Sequence, residues 1–267
     1  MSGKAPLRNI KLTVAYDGTD FSGWQRQASD RSVQAVIEDA LQKIHKSPAV
    51  IHAAGRTDSG VHAAGQAVNF YSPIAGMNAR SYVPALNSIL PPDVRILSAE
   101  DAPLKFHARF DALLRRYRYH FICNRQALPH ERRYAMQLSR HPDINLLNEY
   151  ARLLHGEMDC SFFASPSDSA LKRGGSPFRF IHQAYFFQQA DKLVFEIGAN
   201  AFLWKMVRSI TGTLLFCESR SLPPAVLKEL MFSGDHRKAG PTAPPQGLFL
   251  WNVEYPLNPP VNSGCAP

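Results

Sequence analysis

The stretch RRYRYHFIC, residues 115–123, sets Tyr117, Tyr119, Phe121 and Cys123 against Arg116, Arg118 and His120. Strict alternation over this length is the pattern of a half-buried β-strand. Its place in the chain decides the fold. Downstream, Ile144, Leu147, Ala151 and Leu154 recur at helical spacing, and FIHQAYFFQ with LVFEIG reads as a hairpin turning across Asp191-Lys192. Leu203, Met206, Val207, Ile210 and Leu214 mark a longer helix, a short one follows Pro223-Pro224, and GLFLWNVEY closes the series as a strand. The order from residue 115 onward is β-α-β-β-α-β with one added helix.

Upstream, the same order is already present. IKLTVAY, residues 10–16, alternates Ile10, Leu12, Val14 and Tyr16 with Lys11 and Thr13, and Asp17-Gly18 supplies a turn. Ser32 is placed to cap a helix carrying Val33, Val36, Ile37, Ala40, Leu41 and Ile44. Short strands are expected around Ala49 to Ile51 and over QAVNFY (66–71). A weaker helix over 80–90, interrupted by Pro84, and the strand VRILS complete the set. Two β-α-β-β-α-β patterns predict an α+β fold of two ferredoxin-like half-domains, with helices on one face of a shared antiparallel sheet and a cleft between the halves. AEDAPLKFHARFDA (99–112) breaks the periodicity, so the halves are expected at 1–105 and 106–267.

The bulk numbers constrain the partners. An apolar fraction of 45% over 267 residues supports real cores, and 30 Lys and Arg against 22 Asp and Glu leave a net charge of +8. A basic surplus suits a polyanion, because neutralising phosphates releases counterions. MSGKAPLRN lacks the apolar run of a signal peptide and no 18-residue apolar stretch is present, so a cytoplasmic protein is expected. The cysteines at 123, 160, 217 and 265 stand apart with no C-x-x-C pair, which points to reduced thiols rather than a zinc ribbon.

Several chemistries lack their motifs. There is no G-x-G-x-x-G, no G-x-x-x-x-G-K-[ST], no G-x-S-x-G and no H-E-x-x-H. His155-Gly156-Glu157 resembles half of a zinc-deaminase signature, but no P-C-x-x-C follows it. Neither a cofactor nor a metal is expected. Acid, base or nucleophilic work by ordinary side chains remains, and the loop AAGRTDSGVHAAGQ (53–66) is where it would sit. Glycines on both sides of Asp58 let backbone approach a ligand closely. Arg56 could bind phosphate or fill the space of an extruded base, or it could simply pair with Asp58 in a capped turn.

GRTDSGVHA is similar to the signature of the TruA family of tRNA pseudouridine synthases. YDGTDFSGWQRQ, LNSILPPDV, FHARFDALLRRYRY, NAFLWKMVR and APPQGLFLWNVEYP resemble further segments of that family in their usual order. The resemblance spans nearly the whole chain. It implies isomerisation of uridine to pseudouridine at positions 38, 39 and 40 in the anticodon stem-loop of tRNA, without cofactor or metal. It also implies a homodimer holding one tRNA, and two ferredoxin-like halves in a pseudouridine synthase fold.

Residue by residue, the resemblance assigns catalysis to Asp58, stacking under the target uracil to Tyr117, and retention of the extruded base to Arg56. Arg208 matches the last residue of NAFLWKMVR and lies off the apolar stripe of its helix, free to face either solvent or the cleft; in the cleft, contact with Asp58 would favour an ionised carboxylate. Phe106, His107, Ala108, Arg109 and Phe110 match an RNA-contacting segment. The family often has histidine where this chain has Lys205. On charge alone, Arg80, Arg115, Arg116, Lys172 and Arg173 are candidates for phosphate contact. SPSDSALKRGGS (165–176) reads as a mobile loop that orders on tRNA, and His62 reads as structural. The competing expectation is a non-catalytic RNA-binding protein with two RRM-like halves, but no RNP-type aromatic segment is present and such a binder has no use for Asp58.

Overall fold

Ile10, Leu12 and Val14 are fully buried in β1 (Arg8–Tyr16), as their alternation requires. The structure, a computed structural model, describes residues 7–256; Cys265 and residues 1–6 of the segment read for a targeting signal lie outside the described residues. Helix α1 (Val33–His45) starts at Ser32, whose hydroxyl accepts the Ala35 N–H, and stops at Lys46 in the left-handed region. There follow β2 (His52–Ala53), β3 (His62–Ser72), α2 (Tyr82–Asn87) and β4 (Val94–Ala102). Pro84 lies in the first turn of α2, where its missing N–H breaks no helical bond, so it does not interrupt the helix.

The second half runs β5 (Leu114–Cys123), β6 (Met136–Leu138), α3 (Ile144–Arg152), β7 (Gly156–Asp159) and α4 (Ser169–Lys172). It ends with β8 (Phe178–Gln189), β9 (Lys192–Ala199), α5 (Met206–Ser219), α6 (Pro224–Phe232) and β10 (Leu248–Glu254). The hairpin turns at Ala190-Asp191, one residue earlier than its sequence suggests. Gln189 pairs directly with Lys192, and Ala190 takes the positive φ. Strands β6 and β7 escape a sequence reading because three or four residues are too few to display a period.

The ten strands among the described residues form one sheet in the order β4-β1-β3-β10-β5-β9-β8-β7, with β2 on β3 and β6 on β5. The first half contributes its strands in the order fourth, first, third, second (β4-β1-β3-β2). The second half repeats that order as β10-β5-β9-β8. The expected α+β fold, with a large and mostly antiparallel central sheet, is therefore present. Where the halves meet, however, β3 and β10 run parallel, through only His62 with Phe249 and Ala63 with Leu250. This explains why β3 starts four residues before QAVNFY: its first residues are needed for the junction.

One apolar core continues through both halves. Tyr117, Tyr119 and Phe121 face it, and the opposite face of β5 carries Arg116, Arg118 and His120. On that face Glu196 is 1% exposed and accepts hydrogen bonds from Arg116 (2.9 Å), Arg118 (2.6 Å), Gln183 (2.7 Å) and Tyr185 (2.6 Å). Burial opposes its ionisation, but these donors outweigh it and hold its carboxyl below the usual range.

Candidate active site

The loop between β2 and β3 is fixed from beneath. The Thr57 hydroxyl lies 2.8 Å from the Tyr16 hydroxyl, both buried, and the Thr57 carbonyl accepts the Trp24 N–H. Gln66, fully buried, donates to the Gly55 carbonyl at 2.7 Å. A turn from the Asp58 carbonyl to the Val61 N–H follows, with Gly60 at φ +75°. A Cβ on Gly18 would come within 2.0 Å of the Val61 carbonyl oxygen, so YDGTDFSGW and the loop can meet only through glycine. Thr57 is buried, whereas Arg56 is exposed and Asp58 half-buried.

Asp58 meets two groups from the other half. Arg208, on the first turn of α5, places Nη1 2.9 Å from Asp58 Oδ2, and its Nε–H donates to the Ala243 carbonyl at 2.8 Å. The Trp204 indole N–H donates to Asp58 Oδ1 at 2.9 Å. Both oxygens of the carboxylate are thus engaged, in an ion pair whose side chains are only 14% and 18% exposed. The backbone of Trp204 is itself pinned: its N–H donates to Asp168 Oδ2 at 2.7 Å. Lys205 follows in the left-handed conformation, with its ammonium 4.7 Å from the Trp204 ring centroid.

Tyr117 lies beside this pair. Its hydroxyl is 3.8 Å from where a Gly55 Cβ would be, and Phe202 packs edge-on against its ring at 5.1 Å. Burial chiefly, with Tyr16 and Asp58 nearby, pushes its phenol well above the ordinary value, so it stays protonated. Residues 55–58, 117 and 202–208 converge from three separated stretches of chain. The arrangement is a carboxylate held by a cation and an indole, beside a protonated phenol, at the meeting of the two halves. It can present an oriented nucleophile or base to a ligand that enters from solvent.

Arg56 is exposed and forms no ion pair with Asp58, so the simple arginine–aspartate turn is not what the fold contains. His62 is fully buried. Its Nδ1 accepts the Gly18 N–H at 3.0 Å, so Nε2 carries the proton and donates to the Arg133 carbonyl at 2.9 Å. Burial lowers its pKa despite Asp17 at 3.2 Å, so the ring is neutral and the two residues form no salt bridge.

The segment Phe106 to Phe110 forms a tight turn. His107 packs at a tilt against Phe110 (4.4 Å) and His52 (4.7 Å), and Phe110 is 74% exposed. Ala108 is fully buried, its N–H bonded to Asn69 Oδ1 and its carbonyl to the Tyr255 hydroxyl. With both backbone groups engaged, Ala108 shapes the turn and has no surface for RNA. Arg115 needs a similar correction. It is 8% exposed and donates to the carbonyls of Ala54 (3.1 Å), Ala112 (2.9 Å), Arg109 and Asn200, leaving nothing to offer a phosphate. Arg116 is committed to Glu196 and Glu254. Arg80, Arg109, Lys172 and Arg173 are exposed.

The stretch 165–176 contains α4 rather than a featureless loop. Asp168 caps it by accepting the Ala170 and Leu171 N–H groups in addition to that of Trp204. Burial opposes its ionisation, and the three N–H donors outweigh it to lower its pKa. Trp204 and Asp168 were both missed in the sequence. The only trace was a large indole immediately before the helix that delivers Arg208.

Comparisons with known proteins identify the family. A family model described as tRNA pseudouridine synthase matches residues 12–111 and 150–256. The tRNA pseudouridine synthase A of Treponema denticola is 50% identical over 254 residues, covering 93% of each chain. That of Treponema pallidum (strain Nichols) is 44% identical over 240 residues, 88% of this chain and 84% of its own. The Brachyspira hyodysenteriae protein of the same name is 40% identical over 245 residues, 91% and 97% of the two chains. Matched through both halves and on both sides of the Asp58 site, the chain belongs to the tRNA pseudouridine synthase family.

Proposed function

We propose that this enzyme isomerises uridine to pseudouridine at positions 38, 39 and 40 in the anticodon stem-loop of tRNA, with Asp58 as its catalytic carboxylate. The observation that carries the reading is the clamp on that carboxylate by Arg208 and Trp204, where the two halves meet. The reaction breaks the C1′–N1 bond, turns the uracil in place and joins C5 to C1′. No atom is gained or lost overall. The protein must draw the nucleotide out of its stack, supply a nucleophile or base, and keep water from the intermediate. Asp58 supplies the carboxylate, Arg208 orients it, and Tyr117 forms the floor for the uracil. Arg56, exposed two residues from Asp58, fills the space the base leaves.

Phe106, His107, Arg109 and Phe110 form an RNA-contacting turn, joined by Lys172 and Arg173 on α4. We take residues 1–105 and 106–267 as the two half-domains, a division supported by the repeated strand order. The enzyme works in the cytoplasm as a homodimer that holds one tRNA. An RNA-binding protein without activity would need no oriented carboxylate, and this favours the enzyme.

The test uses tRNA transcripts tritiated at C5 of uridine, together with mapping of the modified positions. Wild type should release tritium from positions 38–40, and Asp58→Asn should release none. Undiminished release by the variant would remove Asp58 from the chemistry, and product at other positions would redirect the substrate assignment.

A further inference from the structure

We propose that Trp204 occupies the place of the target nucleoside in the free enzyme, so that Asp58 Oδ1 is the oxygen presented to substrate once the indole is displaced. This rests on Asp58 being the catalytic carboxylate. The two groups on Asp58 differ in kind. Arg208 is sunk in the protein and held a second time through Nε to the Ala243 carbonyl, so its oxygen, Oδ2, is covered from the interior. The Trp204 residue is 43% exposed, and its indole touches Asp58 through a single hydrogen bond. A reacting atom must come within about 3–3.5 Å of the carboxylate. From solvent, that approach is on the Oδ1 side, where the indole nitrogen already stands at 2.9 Å.

Phe202 adds a second, independent observation. It lies edge-on to Tyr117, which is 7% exposed and therefore has little ring surface left for stacking. The same short segment thus sits against both groups that a uridine must reach. Its anchoring leaves the side chains free to move. The Trp204 amide is fixed by Asp168 and its carbonyl accepts the Ser165 N–H, while neither bond constrains the indole. Oδ1 accepts from the indole N–H, so an entering uridine that turns its N3–H toward this oxygen replaces one hydrogen bond with another. Cytidine presents an unprotonated N3 at that place and leaves the indole there, which makes Trp204 a specificity element.

Trp204→Phe keeps an aromatic ring but removes the N–H. Wild type and variant are mixed with an anticodon stem-loop carrying uridine at the target positions, and with one carrying cytidine there. Tryptophan emission and tritium release from C5-labelled uridine are followed. The expected result is an emission change in the wild type with the uridine stem-loop, absent with cytidine and absent in the variant. A KM lowered about threefold or more in the variant should accompany it, because no indole hydrogen bond must be broken. A variant that reproduces the whole wild-type emission change would overturn the proposal. So would a tenfold loss of kcat at unchanged KM, which would mean that the indole acts in the reacting complex. A wild type that binds the stem-loops and releases no tritium from any tRNA would overturn the activity on which the proposal rests.

Discussion

Arg208 and Asp58 lie 150 positions apart, yet their meeting was foreseeable. Arg208 falls outside the stripe formed by Met206, Val207, Ile210 and Leu214, all of them buried, which leaves it free to face either solvent or the cleft; the family resemblance of NAFLWKMVR is what points to the cleft. Its loss is expected to act on turnover. Arg208→Ala should lower kcat roughly 10- to 100-fold, the worth of one charge-assisted hydrogen bond, with tRNA affinity changed less than threefold. Single-turnover tritium release paired with filter binding separates the two; normal turnover with weaker binding would make Arg208 an ordinary phosphate contact. Trp204 was not legible in the same way, since an indole reaching a carboxylate 146 residues away leaves no periodic signal. Arg115 was misread for a related reason: charge in a sequence suggests surface, and only the fold reveals four carbonyls waiting around one buried guanidinium.

At the scale of elements, long periodic segments were legible and short ones were not. Helices α1, α3 and α5 announced themselves by apolar spacing, whereas α4 has four residues and none of them buried. What holds α4 is one residue, Asp168, which is 4% exposed and accepts three backbone N–H groups, two from α4 and one from the turn before α5. Asp168→Ala would leave those donors without partners. The expected loss is about 2–3 kcal/mol, summing a helix cap of ~1 and a charge-assisted hydrogen bond of ~1.5 kcal/mol. Urea denaturation measures the total. Hydrogen exchange localises it, with faster exchange expected at Ala170, Leu171 and Trp204 and no change at β1. Unaltered protection at those three amides would show that α4 is held by something other than its cap.

Over the whole molecule, the doubled strand–helix order could be read from the chain, but the seam between the halves could not. Two residue pairs between parallel strands have no local signature. The seam is reinforced by rings: Phe249 on β10 stacks on His62 of β3 at 4.5 Å and lies 5.0 Å from His120 of β5. Burial lowers the pKa of both histidines. For His120, burial chiefly, with the charges of Lys192 and Arg118, brings it to about 4. In the unfolded chain both titrate near 6.5. Between these values the unfolded state binds more protons than the folded state, so stability is complete above about pH 6.5 and falls as the pH drops toward 4. For His120 the loss is on the order of 2–3 kcal/mol at most, because the ring keeps some solvent access. The carboxylates with lowered values, Asp17, Asp168 and Glu196 among them, add their losses only at lower pH, through and below the normal carboxylate range. His120→Phe keeps the contacts with Phe249 and Trp251 and removes the titration. Denaturation midpoints measured from pH 7 to pH 4.5 should therefore fall less steeply in this variant than in the wild type. His62, His45 and His107, also lowered, account for the slope that remains. Equal slopes would mean that His120 does not titrate in this window, and that protonation does not loosen the seam at that ring.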